Sequence, residues 1–174
     1  MKKLFALALA LCLLCSFALA EEEIPTLNWS DVEDQVKEAG SFQQVTFPDV
    51  ATLLYWVPNN MAAADVSQFP DEVPPVAAFA TEDGNRVLRV FALNTTGLED
   101  YLNLLQGQGA ANFKNVTVNG IDCVGCENEA NNFDILIVPI TETQVLAYVF
   151  TPLNGDDGWD ETKVAMVSSV QVAQ

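Results

Sequence analysis

Apolar positions are densest between Phe133 and Thr151 (FDILIVPITETQVLAYVFT), where two runs flank the polar turn Thr141-Glu142-Thr143-Gln144. Ile135 and Ile137 project to one side and Leu136 and Val138 to the other. On the return, Ala147 and Val149 oppose Leu146, Tyr148 and Phe150. Side chains alternate across a strand, so apolar residues on both alternating sets predict a strand pair covered on both faces.

The remaining pattern supplies the partners. Ser30 followed by Glu33 reads as a capping box, and Val32 and Val36 share a face. A helix is expected over 31–39, stopped by Gly40. Strands are expected over 42–47, which alternates, and over 51–57, which is rich in β-formers. Residues 59–75 carry Pro70, Pro74 and Pro75 and show no period, predicting a long loop; such loops carry function more often than tight turns do. Asp83-Gly84-Asn85 joins strands over 76–81 and 86–93, and Asn119-Gly120 joins strands over 113–118 and 121–126. Thr96 and Glu99 form a second capping box, and Leu98, Leu102 and Leu105 recur at helical spacing, predicting a helix over 97–106. Asp160 is expected to cap a last helix running to Val170.

Short turns make neighbouring strands antiparallel. The predicted fold class is α+β: a central, mainly antiparallel sheet of six to eight strands flanked by helices on both faces, an α/β/α sandwich. Residues 29–174 are read as one such domain, after a flexible lead-in over 21–28.

The sequence resembles the PsbP-like α/β/α sandwich family, in particular its small secreted bacterial members. The residues that carry the resemblance are Leu54-Tyr55-Trp56-Val57-Pro58 at a strand end, Thr81-Glu82-Asp83-Gly84 in a hairpin and Gly97-Leu98-Glu99-Asp100-Tyr101 at a helix start. Val118-Asn119-Gly120-Ile121 at a turn and Met166-Val167-Ser168-Ser169-Val170 at a helix end complete the set. The resemblance spans about residues 29–170. It implies a binding scaffold with no family-wide catalytic motif. The family's roles in photosystem assembly and small-GTPase binding do not fit an exported acidic chain.

Export is read from the first twenty residues. Lys2 and Lys3 precede an apolar run from Leu4 to Phe17, and Ala18-Leu19-Ala20 is a small-x-small cleavage site. The run is short for a membrane span. The expected protein is exported, and secreted or cell-envelope associated in a bacterium, with a mature chain starting near Glu21.

Charge and composition narrow the partners. The chain has 24 acidic and 7 basic residues, a net charge of −17. Such a surface repels phosphate backbones, so nucleic acid is excluded as a partner. An extracellular protein or small ligand is expected instead, with the domain itself a monomer. There is no histidine. That removes Ser-His-Asp and Cys-His nucleophile systems and histidine-zinc sites.

Cys123-Val124-Gly125-Cys126 carries the only chemical motif. A redox pair needs a lowered thiol pKa, yet Glu127 and Glu129 follow where a helix N-terminus should be. A zinc site needs four ligands, and the mature chain has no further cysteine. The preferred reading of Cys123 and Cys126 is structural, either a local disulfide or two packed thiols; redox or metal-dependent activity at this pair is the alternative. In a flat strand, residues three apart face opposite ways, so a bridge requires a bend at Val124-Gly125. Asn154 to Glu161 clusters acids and glycines, but Gly158 falls where a Ca²⁺ loop needs a ligand. No metal or cofactor is expected. The possible binding surface is the long loop with adjacent strand ends, represented by Trp56, Asn60, Met61 and Phe69. The function expected is non-enzymatic binding or scaffolding.

Overall fold

A computed structural model describes residues 24–47, 51–70 and 72–173. The proposed leader and the first residues of the lead-in lie outside the described residues. No helix among the described residues is long and apolar enough to cross a membrane.

The chain is α+β. Its strands are β1 (Thr26–Leu27), β2 (Gly40–Phe47), β3 (Ala51–Pro58), β4 (Met61–Ala63), β5 (Ala77–Thr81), β6 (Val87–Asn94), β7 (Ala111–Val118), β8 (Ile121–Asn128), β9 (Phe133–Thr141), β10 (Gln144–Thr151) and β11 (Gln171–Val172). Among the described residues three α-helices accompany them: α1 (Trp29–Val36), α2 (Leu98–Gly107) and α3 (Asp157–Ser168). An eight-stranded sheet runs in the order β1-β7-β8-β9-β10-β6-β5-β4, and a three-stranded sheet in the order β11-β3-β2. The β1–β7 pair is parallel, and every other neighbouring pair is antiparallel.

The hairpin β9–β10 is central, as its two-sided pattern requires. Alternation sorts β10 into two clusters. Leu146, Tyr148 and Phe150 pack with Trp159 and Met166 of α3 and with Tyr55 and Trp56 of β3. Val145, Ala147 and Val149 pack with Leu105 of α2, against which Leu98, Tyr101 and Leu102 also lie. The Asn119-Gly120 turn forms with φ of 48° and 80°, the left-handed pair that a tight hairpin demands.

Several details differ from expectation. The strands over 42–47 and 51–57 do not join the central sheet. They form the smaller one, because β3 takes β2 on one side and the distant β11 on the other. Neither predicted capping box forms. The first helix starts at Trp29, and Ser30 Oγ bonds Asp31 Oδ1 instead of a backbone amide. Gly97 precedes the second helix, and Thr96 Oγ1 donates to Asp100 Oδ2 at 2.7 Å. The last helix is capped by Asp156, not Asp160: Asp156 Oδ1 accepts from the Trp159 amide at 3.0 Å. Within the predicted loop, Met61–Ala63 is a strand paired with β5, and Val66–Gln68 is a 3-10 turn capped by Asp65.

Candidate functional site

One row of residues crosses the large sheet from β8 to β5: Cys126, Ile135, Val149, Arg89 and Ala78 stand side by side in register. Four are apolar or nearly so, and the fifth is an arginine only 7% exposed. Its guanidinium carbon lies 4.6 Å from the Phe133 ring centroid, 5.8 Å from Phe69 and 5.9 Å from Phe91. Aromatic faces carry negative potential and favour a cation there.

Above this row α2 leans over the sheet and leaves a groove of about 860 Å³. Its floor is Arg89, Phe91 and Leu93 of β6 with Phe133 and Ile135 of β9; its wall is Tyr101, Leu104 and Leu105 of α2. Glu72 and Val73, from the predicted loop, form the opposite rim. Leu104 and Val73 are 55% and 50% exposed, so apolar side chains reach the mouth beside the exposed Glu72, Thr96 and Asp100. Polar and charged residues make up half of the lining, Glu72, Thr96 and Asp100 among them. Asn128 is already engaged, giving Nδ2 to the Gln108 carbonyl and accepting from the Asn131 amide, both at 3.1 Å. Thr95 Oγ1 is buried without a hydrogen-bond partner among the described residues. Burial pushes the Tyr101 hydroxyl up to about 12, so it stays neutral at physiological pH. Such a cleft, with an apolar floor and a mixed polar rim, has the character of a small-molecule or side-chain site.

A second cleft of about 1060 Å³ lies along β4 and the Thr81–Arg86 turn. Backbone and polar side chains line much of it, including Asn60, Glu82, Asp83 and Asn85. Asp83 already accepts from the Thr81 hydroxyl and the Asn85 amide, which hold its carboxyl below the usual range.

The four residues chosen to represent the long loop are dispersed. Trp56 is core, 3% exposed, against Trp29. Asn60 and Met61 line the second cleft, Met61 with its side chain buried. Phe69 lies under Arg89, which itself lines the groove. The groove itself went unnoticed in the sequence. Its available signal was Arg89, a charge in the middle of the apolar run Val87-Leu88-Arg89-Val90-Phe91.

Cys123 and Cys126 are free and buried. They belong to different core clusters, Cys123 with Tyr148 and Cys126 with Ile135 and Leu105, on opposite faces of β8. Three residues of strand separate them by about 10 Å of rise, beyond the reach of a disulfide. Gly125 stays in the ladder opposite Lys114, so no bend brings the thiols together. Burial is the main cause that pushes each thiol up to about 11. Both are poor nucleophiles, and they cannot share a metal ion in this fold. Among the described residues, no group of three or more Cys, Asp or Glu converges to hold one. Around α3 the acids are otherwise employed: Asp156 pairs with Arg86 at 2.6 Å, and Asp160 with Lys163 at 2.8 Å.

No family model matches the chain. No curated protein matches it. Among solved structures the chain is similar to the solution structure of cyanobacterial PsbP (CyanoP) from Synechocystis sp. PCC 6803. The TM-score is 0.46 and the identity 15%, over 77% of this chain and 94% of that one. The likeness concerns fold and says nothing of ligand or activity.

Proposed function

We propose that this chain is an exported bacterial domain that binds an apolar ligand in the groove between α2 and the sheet, without catalysing a reaction. The observation that carries the reading is the apolar path from the groove's mouth to its floor: Leu104 and Val73 remain half exposed above phenylalanine and leucine side chains. Exposed apolar residues that continue into a concave apolar floor mark a binding surface, whereas scattered ones do not. The reading of the fold as an α/β/α sandwich is supported by α3 packing in one cluster of the large sheet and α2 in the other. Export is supported by the basic start, apolar run and Ala18-Leu19-Ala20 of the sequence.

The test is fluorescence titration of the mature chain with N-phenyl-1-naphthylamine, a neutral apolar probe. Saturable binding with one site is expected, weakened at least tenfold by Leu104→Glu. Leu104 is exposed enough for that change to leave the fold intact, which a melting curve verifies. Absence of saturable binding, or binding indifferent to Leu104→Glu, rejects the reading. Intact mass of the chain recovered outside the host cell checks the export half.

A further inference from the structure

Charge is unevenly placed along the groove between α2 and the large sheet. Three of its lining residues are charged: Glu72, Asp100 and Arg89. The two acids are exposed, whereas the arginine is only 7% exposed. Glu72 belongs to the loop rim and Asp100 to the first turn of α2, so each side of the mouth contributes one acid. Thr96 Oγ1 donates to Asp100 Oδ2 at 2.7 Å and holds that carboxylate at the helix start. Arg89 lies deeper, its guanidinium carbon 4.6 Å from the Phe133 ring centroid, 5.8 Å from Phe69 and 5.9 Å from Phe91.

Acids outside and a base within decide what the groove attracts. The exposed carboxylates set the field at the mouth, and the net charge of −17 adds to it. A cation is drawn toward the mouth. An anion must pass both acids and shed its water before it reaches Arg89, whose charge already faces three aromatic rings. A neutral apolar molecule can cover the floor but gains nothing from either acid. Tyr101, next to Asp100 in sequence, also lines the groove and supplies aromatic surface of the kind that receives ammonium groups.

We infer that the ligand of this groove is a cationic amphiphile: a small amine whose apolar body lies on Phe91, Leu93, Phe133 and Ile135 and whose ammonium group stands at the mouth beside Glu72 and Asp100. The inference rests on the apolar-ligand reading of the groove and adds the ligand's charge to it. A volume of about 860 Å³ is that of a site for one small molecule. Two exposed ion pairs support a preference of about three- to tenfold over an uncharged ligand of equal length.

Displacement of N-phenyl-1-naphthylamine from the mature chain tests the charge. The probes are decylamine, decanol and decanoate, each below its micellar concentration; decylamine is cationic at neutral pH, as lysine is. At low salt decylamine is expected to displace the dye at about three- to tenfold lower concentration than decanol, with decanoate the weakest. The advantage is expected to vanish at about 1 M salt, where charges are screened beyond about 3 Å. In the double variant Glu72→Gln/Asp100→Asn, decylamine is expected to fall to the level of decanol. Glu33→Gln/Glu38→Gln removes two charges from α1 and the turn after it, on the side of the other core cluster, and is expected to keep the preference. Melting curves verify that both double variants fold. Decanoate displacing the dye as readily as decylamine overturns the inference and leaves the groove in place. So does equal displacement by decylamine and decanol at low salt, or a preference that survives Glu72→Gln/Asp100→Asn. A preference lost equally in Glu33→Gln/Glu38→Gln traces it to overall charge and overturns the inference too. A chain that binds no dye rejects the groove itself, and the amine with it.

Discussion

Tyr55 of β3 and Tyr148 of β10 meet hydroxyl to hydroxyl at 3.2 Å, buried where the small sheet packs on the large one. Their rings lie 6.2 Å apart, and Phe47 and Phe79 extend the aromatic contact from Tyr55. Burial is the leading cause that drives both hydroxyls upward, Tyr148 to about 12, so the bond joins two neutral groups.

That bond ties the two sheets together. Replacing either tyrosine by phenylalanine leaves the other hydroxyl buried and unpaired, at a cost of about 1–2 kcal/mol. The double replacement is expected to cost little more than one single change, because the orphan disappears with its partner. Urea unfolding of the three variants measures this; strict additivity would show that the hydroxyls are not coupled.

The thiols are expected to behave as core atoms. In native protein Cys123 and Cys126 should resist a disulfide-exchange reagent over a period in which both react in the unfolded chain. The pH dependence has a definite sign. Each thiol is raised from an ordinary 9.0 to about 11, so above pH 9 the unfolded chain releases protons that the folded chain retains. Stability from this source is present below pH 9 and is lost between about 9 and 11. Thermal melts of wild type and Cys126→Ala across that range check it, the variant showing the shallower decline.

Asp156 performs two tasks, and its variants separate them. It caps α3 through the Trp159 amide at 3.0 Å and pairs with Arg86 at 2.6 Å. Loss of a cap costs about 1 kcal/mol. The ion pair, with Asp156 largely exposed, contributes about 0–1 kcal/mol. Asp156→Asn is expected to keep most of the stability and Asp156→Ala to lose about 1 kcal/mol or slightly more. Equal losses in denaturant titration would place the whole effect in the ion pair.

Lys163 gathers three oxygens: Asp134 at 2.7 Å, Asp160 at 2.8 Å and the Leu153 carbonyl at 3.1 Å. Burial alone would lower its pKa, but hydrogen bonds to the two carboxylates outweigh that and raise it. Its contribution is therefore complete below about pH 10.5 and fades as pH rises through the higher folded value. Lys163→Met should cost about 1–2 kcal/mol near neutral pH, between the worth of an exposed pair and a buried one. Melts at pH 7 and above pH 11 should show that difference shrinking.

The central hairpin was readable because apolar residues stand at nearly every position from Ile135 to Val138 and from Val145 to Phe150, and only a covered strand tolerates that. Asn119-Gly120 was readable because few residues accept two successive positive φ angles. The division into two sheets was not readable. Ala51–Pro58 is buried on both faces much as β10 is, so pattern alone cannot assign it to a sheet. The caps were misread because serine, threonine and aspartate supply the same oxygen, and three-dimensional packing decides which is used: Trp159, fully buried against Phe150, fixes the start of α3 so that Asp156 falls at the cap. The groove was hidden for a similar reason. Arg89, Tyr101 and Phe133 come from three separate elements, and no local spacing unites them.

The smaller sheet has a further consequence for synthesis. Leu54 is paired with Gln171, and the amide of Trp56 with Ser169, so β3 acquires its second neighbour from a segment translated long after it. Closing a loop of roughly 120 residues costs about 2 kcal/mol more chain entropy than closing one of ten. A nascent chain still held by the ribosome carries β3 with a bare flank until that distant segment emerges, and the third strand of the small sheet is a late arrival in the order of folding.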